Sequence, residues 1–268
     1  MDLNNLINCL CREMKIESIL CYGSYAQEQH DNKSDIDLLV LMQDKIPSSV
    51  ERESIYKNIP DVKIVSIDKK HADMWDTSWV PVNDQLKINK QLIEVGYNTK
   101  SWVIIIIDKL INENLITFEE FPFRPYTFLG LLETSKILND DNNFIKNCLS
   151  QIRPMPAILK TAIIQSFLPI LKENYEDLVD CSDRNIGILA FQFYLFLALD
   201  ALIGILFAIN EVYDPASKRT EAFLFKLKRL PAGLSEFITN ILPRFYEHKK
   251  ETIQFFRECI KFIENNIN

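Results

Sequence analysis

The sequence predicts an α+β chain, with a small mixed sheet and its helices in residues 1–120 and an all-helical bundle in residues 121–268. Three observations carry this. Short apolar runs bounded by turn residues alternate with helical spacing in the first part. Strand signals fade after about residue 120, and the Phe121-Pro122-Phe123-Arg124-Pro125 stretch, with two prolines, cannot be helical throughout and marks the boundary. From Tyr126 onward apolar residues recur at three and four, with breaks near Asp140, Pro154, Asp183, Pro215, Pro231 and Pro243, which predicts five to seven helices.

Taken in order, Leu3, Leu6, Ile7 and Leu10 share one face of a first helix. Residues 18–22 form a short apolar strand that ends at Gly23, and residues 35–42 form another. Residues 49–57 read as a helix and 62–67 as a further strand. Leu86-Lys87-Ile88 and Leu92-Ile93-Glu94-Val95 flank Asn89-Lys90-Gln91 as a hairpin over 86–97, whose second strand can lie beside the one at 35–42. Thr99 caps a following helix through Trp102, Ile106 and Leu110. Together these give a small mixed sheet with helices on one side.

The chemistry concentrates between residues 23 and 40. Side chains on a strand alternate faces, so Asp35 and Asp37 point one way while Ile36 and Leu38 point into a core. Two carboxylates facing one point repel each other unless a cation lies between them, and a hard, oxygen-preferring divalent ion, naturally magnesium, fits best. Gly23 lets a ligand approach the backbone after the first strand. If residues 24–29 begin as a helical turn, its N–H groups and the Ser24 hydroxyl can hold phosphate oxygens.

Gly23-Ser24 followed by Ser34-Asp35-Ile36-Asp37 and an apolar strand resembles the nucleotidyltransferase superfamily of the DNA polymerase beta type. More closely it resembles the small bacterial branch that modifies aminoglycoside and lincosamide antibiotics. The resemblance implies a third carboxylate on a later strand that completes a site for two magnesium ions. Glu94, between Ile93 and Val95 in the hairpin, is favoured for that place, and Asp61 at a strand edge is the competitor. The resemblance also implies that basic and aromatic side chains of the helical half reach the triphosphate. The matching candidates are Tyr213, Lys218 and Arg219, at a break after a long apolar helix.

The implied reaction transfers a nucleoside monophosphate, AMP with ATP as the expected nucleoside triphosphate, to a hydroxyl of a small molecule. Glu94, Asp76 and Asp200 all stand as candidates for the base that takes the hydroxyl proton. Two other readings are carried: modification of a protein or tRNA, as in toxin–antitoxin nucleotidyltransferases, and a non-catalytic nucleotide-binding regulator. His71, Trp75, Asp76 and Trp79 could line an acceptor pocket, although a solvated loop suits His71 better. Asp200 sits among leucines and alanines, so it either meets a substrate or pairs with an arginine such as Arg184 or Arg153.

A chain of 268 residues that is 47% hydrophobic and 25% charged can bury two cores. Its net charge of −7 argues against broad nucleic-acid binding, which depends on lysine and arginine, and suits a cationic small substrate. The six cysteines have no metal-ligand spacing and are expected as reduced thiols in a cytoplasmic protein. The amino end lacks the basic start and apolar run of a secretory signal. Residues 186–209 are long and apolar enough to span a bilayer, but Gln192 and Asp200 interrupt them, and a mid-helix aspartate costs ~2.5–3.5 kcal/mol on insertion. They are expected as the central buried helix of the bundle, with no membrane partner. The sequence leaves oligomeric state open.

Overall fold

A computed structural model describes residues 3–28, 34–70, 78–113, 124, 126–214 and 220–267. The chain forms two compact units, residues 1–154 and 155–268. The division therefore falls well beyond the proline stretch at 121–125, most of which lies outside the described residues.

The first unit begins with helix α1 (Leu3–Glu13), strand β1 (Ile16–Tyr22) and a helical turn α2 (Gly23–Ala26). Strand β2 (Ile36–Met42) and helix α3 (Ser49–Lys57) follow, then β3 (Val62–Ser66), β4 (Val82–Ile88) and β5 (Gln91–Thr99). Local chemistry explains the sharpest boundaries. Ser48 and Glu51 form a reciprocal capping box at the start of α3, with the Ser48 N–H donating to Glu51 at 2.7 Å. Thr99 Oγ1 accepts from the Trp102 N–H at the start of α4 (Lys100–Asn112). The hairpin turn narrows to Asn89-Lys90, with Asn89 in the left-handed region, because Gln91 already pairs with Ile88.

The six strands lie in the order β3-β4-β5-β2-β1-β6, where β6 is Lys136–Asn139. The β2–β5 pair is parallel and the others are antiparallel. Strand β6 corrects the expectation that strands stop near residue 120. It joins the edge at β1, with helices α5 (Thr127–Thr134) and α6 (Phe144–Ile152) on either side of it in the chain. Four residues are too few to show alternation, so only pairing reveals the strand. Its attachment is also why residues 126–154 belong to the first unit.

One face of the sheet packs Ile19, Cys21, Leu38, Val40, Leu86, Val95 and Tyr97 against Leu6, Ile7 and Leu10 of α1 and Tyr56 of α3. Full burial of each such leucine or isoleucine contributes about 1.5–3 kcal/mol. Leu20, Leu39 and Leu41 are also completely buried although they point from the opposite face. Helices α5 and α6 pack on β1 and α4 on β5. The sheet is thus covered on both faces over its interior, not on one.

The helical second unit is built on α7 (Ala157–Asp183) and α8 (Ile188–Ile209), which run along each other, with α11 (Lys249–Asn266) against both. Short helices α9 (Thr220–Leu224) and α10 (Leu234–Glu236) lie between, the latter continuing into a π turn, and Phe237 stacks on Phe255 at 3.9 Å. By length and composition α8 could cross a membrane, and 39% of its most apolar stretch is buried. Residues 204–209 are all buried, whereas Leu189 and Phe193 are exposed. The expected central buried helix is therefore central only in its second half. A helix apolar on every side carries no periodic signal of which face is covered.

Candidate active site

The site is assembled where β1 ends, β2 begins and β5 runs beside it. In the parallel register Asp37 lies directly opposite Glu94, and in the antiparallel one Tyr22 lies opposite Asp37. Asp35, just before β2, completes the group: one oxygen from each of Asp35, Asp37 and Glu94 lies within 4.8 Å of the others. All three are half-buried. Leu38 lies in the core and Ile36 packs against it, as alternation along β2 requires. Asp61 is exposed in the turn before β3, with positive φ, and does not join the group.

Gly23 meets the site from β1. Its φ is +74°, and a Cβ there would lie 2.3 Å from Oδ2 of Asp37. The residue is glycine for two independent reasons, the left-handed backbone and the carboxylate pressed against it. Ser24, buried, follows in the turn α2. Tyr25 Oη donates to Gln91 at 3.0 Å, and Gln91 Nε2 donates to the Ser34 carbonyl at 2.7 Å. The start of β5 therefore ties the glycine turn to the approach of Asp35.

Glu94 has a shell of its own. Lys69 Nζ and Gln85 Nε2 both donate to its Oε1, at 2.7 and 2.6 Å, and Asn83 Nδ2 reaches Oε2 at 3.5 Å. Burial raises the Glu94 carboxyl, but the Lys69 and Gln85 hydrogen bonds, the Lys69 charge and the Asn83 contact outweigh it, and the net direction is downward. Burial, then the charges of Asp37, Glu94 and Asp35, push the Tyr22 hydroxyl far above its ordinary value. Burial and Asp37 likewise raise the Cys21 thiol to about 11, against a smaller opposing pull from Lys136. These neighbours stay neutral beside a strongly negative cluster. Three carboxylates with oxygen donors alone fit a hard divalent ion such as magnesium better than zinc.

Lys69, Gln85 and Asn83 were not among the expected site residues. Asn83 and Gln85 stand two apart on β4, and the hairpin register sets Gln85 opposite Glu94, so the pairing was recoverable once the strand was extended back to Val82. Lys69 comes from an irregular stretch after β3 and left no periodic trace. Behind it, on the core side of β4, Arg52 donates to Asp84 at 2.8 and 3.1 Å and also pairs with Asp68. Tyr56 donates to Asp84 at 3.0 Å. Arg52 and Asp84 are 2% and 0% exposed, a buried charged pair that the sequence reading did not foresee.

The remaining expected residues fall in the second unit, near Phe128 in the first, or outside the described residues. Tyr213 is buried in the second unit, while Lys218 and Arg219 lie outside the described residues, as do His71, Trp75 and Asp76. Trp79 packs against Phe128, which also meets Trp102 edge-on at 4.8 Å. Asp200 is half-buried on α8, and of the arginines suggested for it, Arg184 pairs with Asp180 at 2.9 Å and Arg153 with Glu133 at 3.0 Å.

A mixed sheet thus presents three carboxylates beside a glycine turn. Residues 4–79 match the family described as Polymerase beta, Nucleotidyltransferase. The match takes in Gly23, Ser24, Asp35 and Asp37, so the likeness lies on the stretch that supplies the turn and two of the three carboxylates, and it supports a general nucleotidyltransferase function. The match stops before Glu94, so the third carboxylate rests on geometry alone. No curated protein matches the chain. Among solved structures it is similar to a nucleotidyltransferase-like protein from Exiguobacterium sibiricum, at 12% identity over 94% of this chain and 68% of that one, with a TM-score of 0.40.

Proposed function

We propose that the chain is a metal-dependent nucleotidyltransferase that moves AMP from ATP to a hydroxyl of a small molecule, with aminoglycosides and lincosamides as the acceptor class. The observation that supports this reading most is the convergence of Asp35, Asp37 and Glu94 within 4.8 Å beside Gly23. These three would hold magnesium, which when bound neutralises charge on the attacking and leaving oxygens of an in-line displacement. In that reaction the acceptor oxygen bonds to the α-phosphorus as the bond to pyrophosphate breaks. Ser24 and the N–H groups of the turn would donate to phosphate oxygens. Gly23 keeps the Asp37 carboxylate against that turn. Glu94, held low by Lys69 and Gln85, suits ion binding better than taking a proton near neutrality. The net charge of −7 fits a cationic acceptor. The proposed setting is the cytoplasm, which six free thiols suit.

The test mixes purified protein, magnesium and labelled nucleoside triphosphates with panels of aminoglycosides and lincosamides. Nucleotidylated acceptor should form with the wild type and not with Asp37→Ala. Product with both proteins, or with neither, defeats the reading. Intact-mass measurement of the protein in the same mixtures detects a nucleotide added to the chain itself, which would point to a protein acceptor instead.

A further inference from the structure

Lys69 is held in place from two sides. Its backbone N–H donates to the Asn83 carbonyl at 2.7 Å, and the neighbouring Asp68 N–H donates to Oδ1 of Asp84 at 3.0 Å. Asp68 also pairs with the buried Arg52. Strand β4 thus grips residues 68–69 through Asp84 on its core side, while Asn83 and Gln85 on its other side reach Glu94. The lysine's backbone is therefore fixed, and its part-exposed side chain pairs with one member of the cluster, Glu94.

We propose that Lys69 is the positioning residue of this cluster: its ammonium occupies Oε1 of Glu94 and its charge limits how tightly the three carboxylates take a divalent ion. The inference rests on the metal-binding reading above. A carboxylate oxygen has two lone pairs, and at Oε1 both are used, by Lys69 and by Gln85. Oε2, with one long contact from Asn83, is the oxygen with capacity for an ion. Glu94 is therefore a one-oxygen ligand whose orientation is set by its partners, as second-shell groups commonly set metal ligands. The charge follows the same geometry. Three carboxylates and one ammonium leave a net −2, which a single divalent ion balances, and the ammonium repels that ion at close range.

The test titrates manganese into the nucleotide-free 268-residue chain, following free Mn2+ by electron paramagnetic resonance. Lys69→Met removes the charge, and because Gln85 still donates to Oε1 and keeps Glu94 oriented, Mn2+ binding should tighten by about tenfold on Coulombic grounds. Lys69→Arg keeps the charge and should bind as the wild type does. Lys69→Gln, whose amide can still donate to Glu94, should also bind more tightly, and it stands in if the methionine variant does not fold. Should both neutral variants bind Mn2+ no better than the wild type while Asp37→Ala abolishes binding, Lys69 has no such role and the cluster remains a metal site. Wild-type binding no stronger than that of Asp37→Ala overturns both ideas.

Discussion

Replacing Gly23 by alanine separates the two reasons for a glycine at that position. The first is backbone: at φ +74° an added Cβ costs about 1–2 kcal/mol for a non-glycine residue in the left-handed region. The second is local: the new Cβ would stand 2.3 Å from Oδ2 of Asp37. A carboxylate can rotate aside cheaply, so this contact adds little to unfolding, but it moves Asp37 away from Asp35 and Glu94. The expected result is a modest stability loss joined to a large loss of ion binding. Gly233 supplies the control, because its φ is +79° and nothing lies within 4 Å of a Cβ built there. Gly233→Ala should lose a similar ~1–2 kcal/mol by urea unfolding, from the same backbone cause, and keep wild-type Mn2+ affinity. Gly23→Ala should lose Mn2+ affinity at least tenfold, about 1.4 kcal/mol, as expected for a misplaced ligand. If Gly23→Ala binds manganese as the wild type does, Asp37 is not held by the glycine turn and the geometric argument fails.

Two further outcomes can be measured directly. Asp84→Ala strips the buried Arg52 of its two-pronged partner, leaving Asp68 and the Pro47 carbonyl; urea unfolding should show a loss of about 3–5 kcal/mol, and a loss under 1 kcal/mol would mean the pair is not the anchor it looks to be. Glu94 has a folded-state pKa below its ordinary value of 4.5, so its ionised form stabilises the fold above that pH and the contribution disappears as pH falls through the lowered value. The stability advantage of the wild type over Glu94→Gln should accordingly be constant from pH 7 to about 5 and shrink in stronger acid. A gap that does not change with pH contradicts the Lys69–Glu94 pairing.

Several features were legible in the chain because they depend on near neighbours. Helix α3 has the bounds expected, Ser49–Lys57, and the structure adds the capping box, a local spacing of three between Ser48 and Glu51, that starts it. Asp35 and Asp37 share a face because strands repeat every two residues. Strand β4 was harder to read. Its Val82-Asn83-Asp84-Gln85 half looks like a loop, since buried polar residues break the apolar alternation, and their partners, Arg52, Tyr56 and the Asp68 N–H on one side and Glu94 on the other, are distant in sequence. Strand β6 was invisible for want of length, and with it the true extent of the first unit.

From the sequence alone came the paired aspartates, the glycine turn before them, the α+β class and a helical second half, because each is written in residue type and short spacing. Tertiary structure decided that Glu94 and not Asp61 joins the aspartates, through the Asp37–Glu94 register of two parallel strands. It also decided that Lys69 reaches Glu94 across 25 positions of chain. Such contacts depend on which strands become neighbours and in what register, and these are settled by packing of the whole sheet, not by any local run of residues.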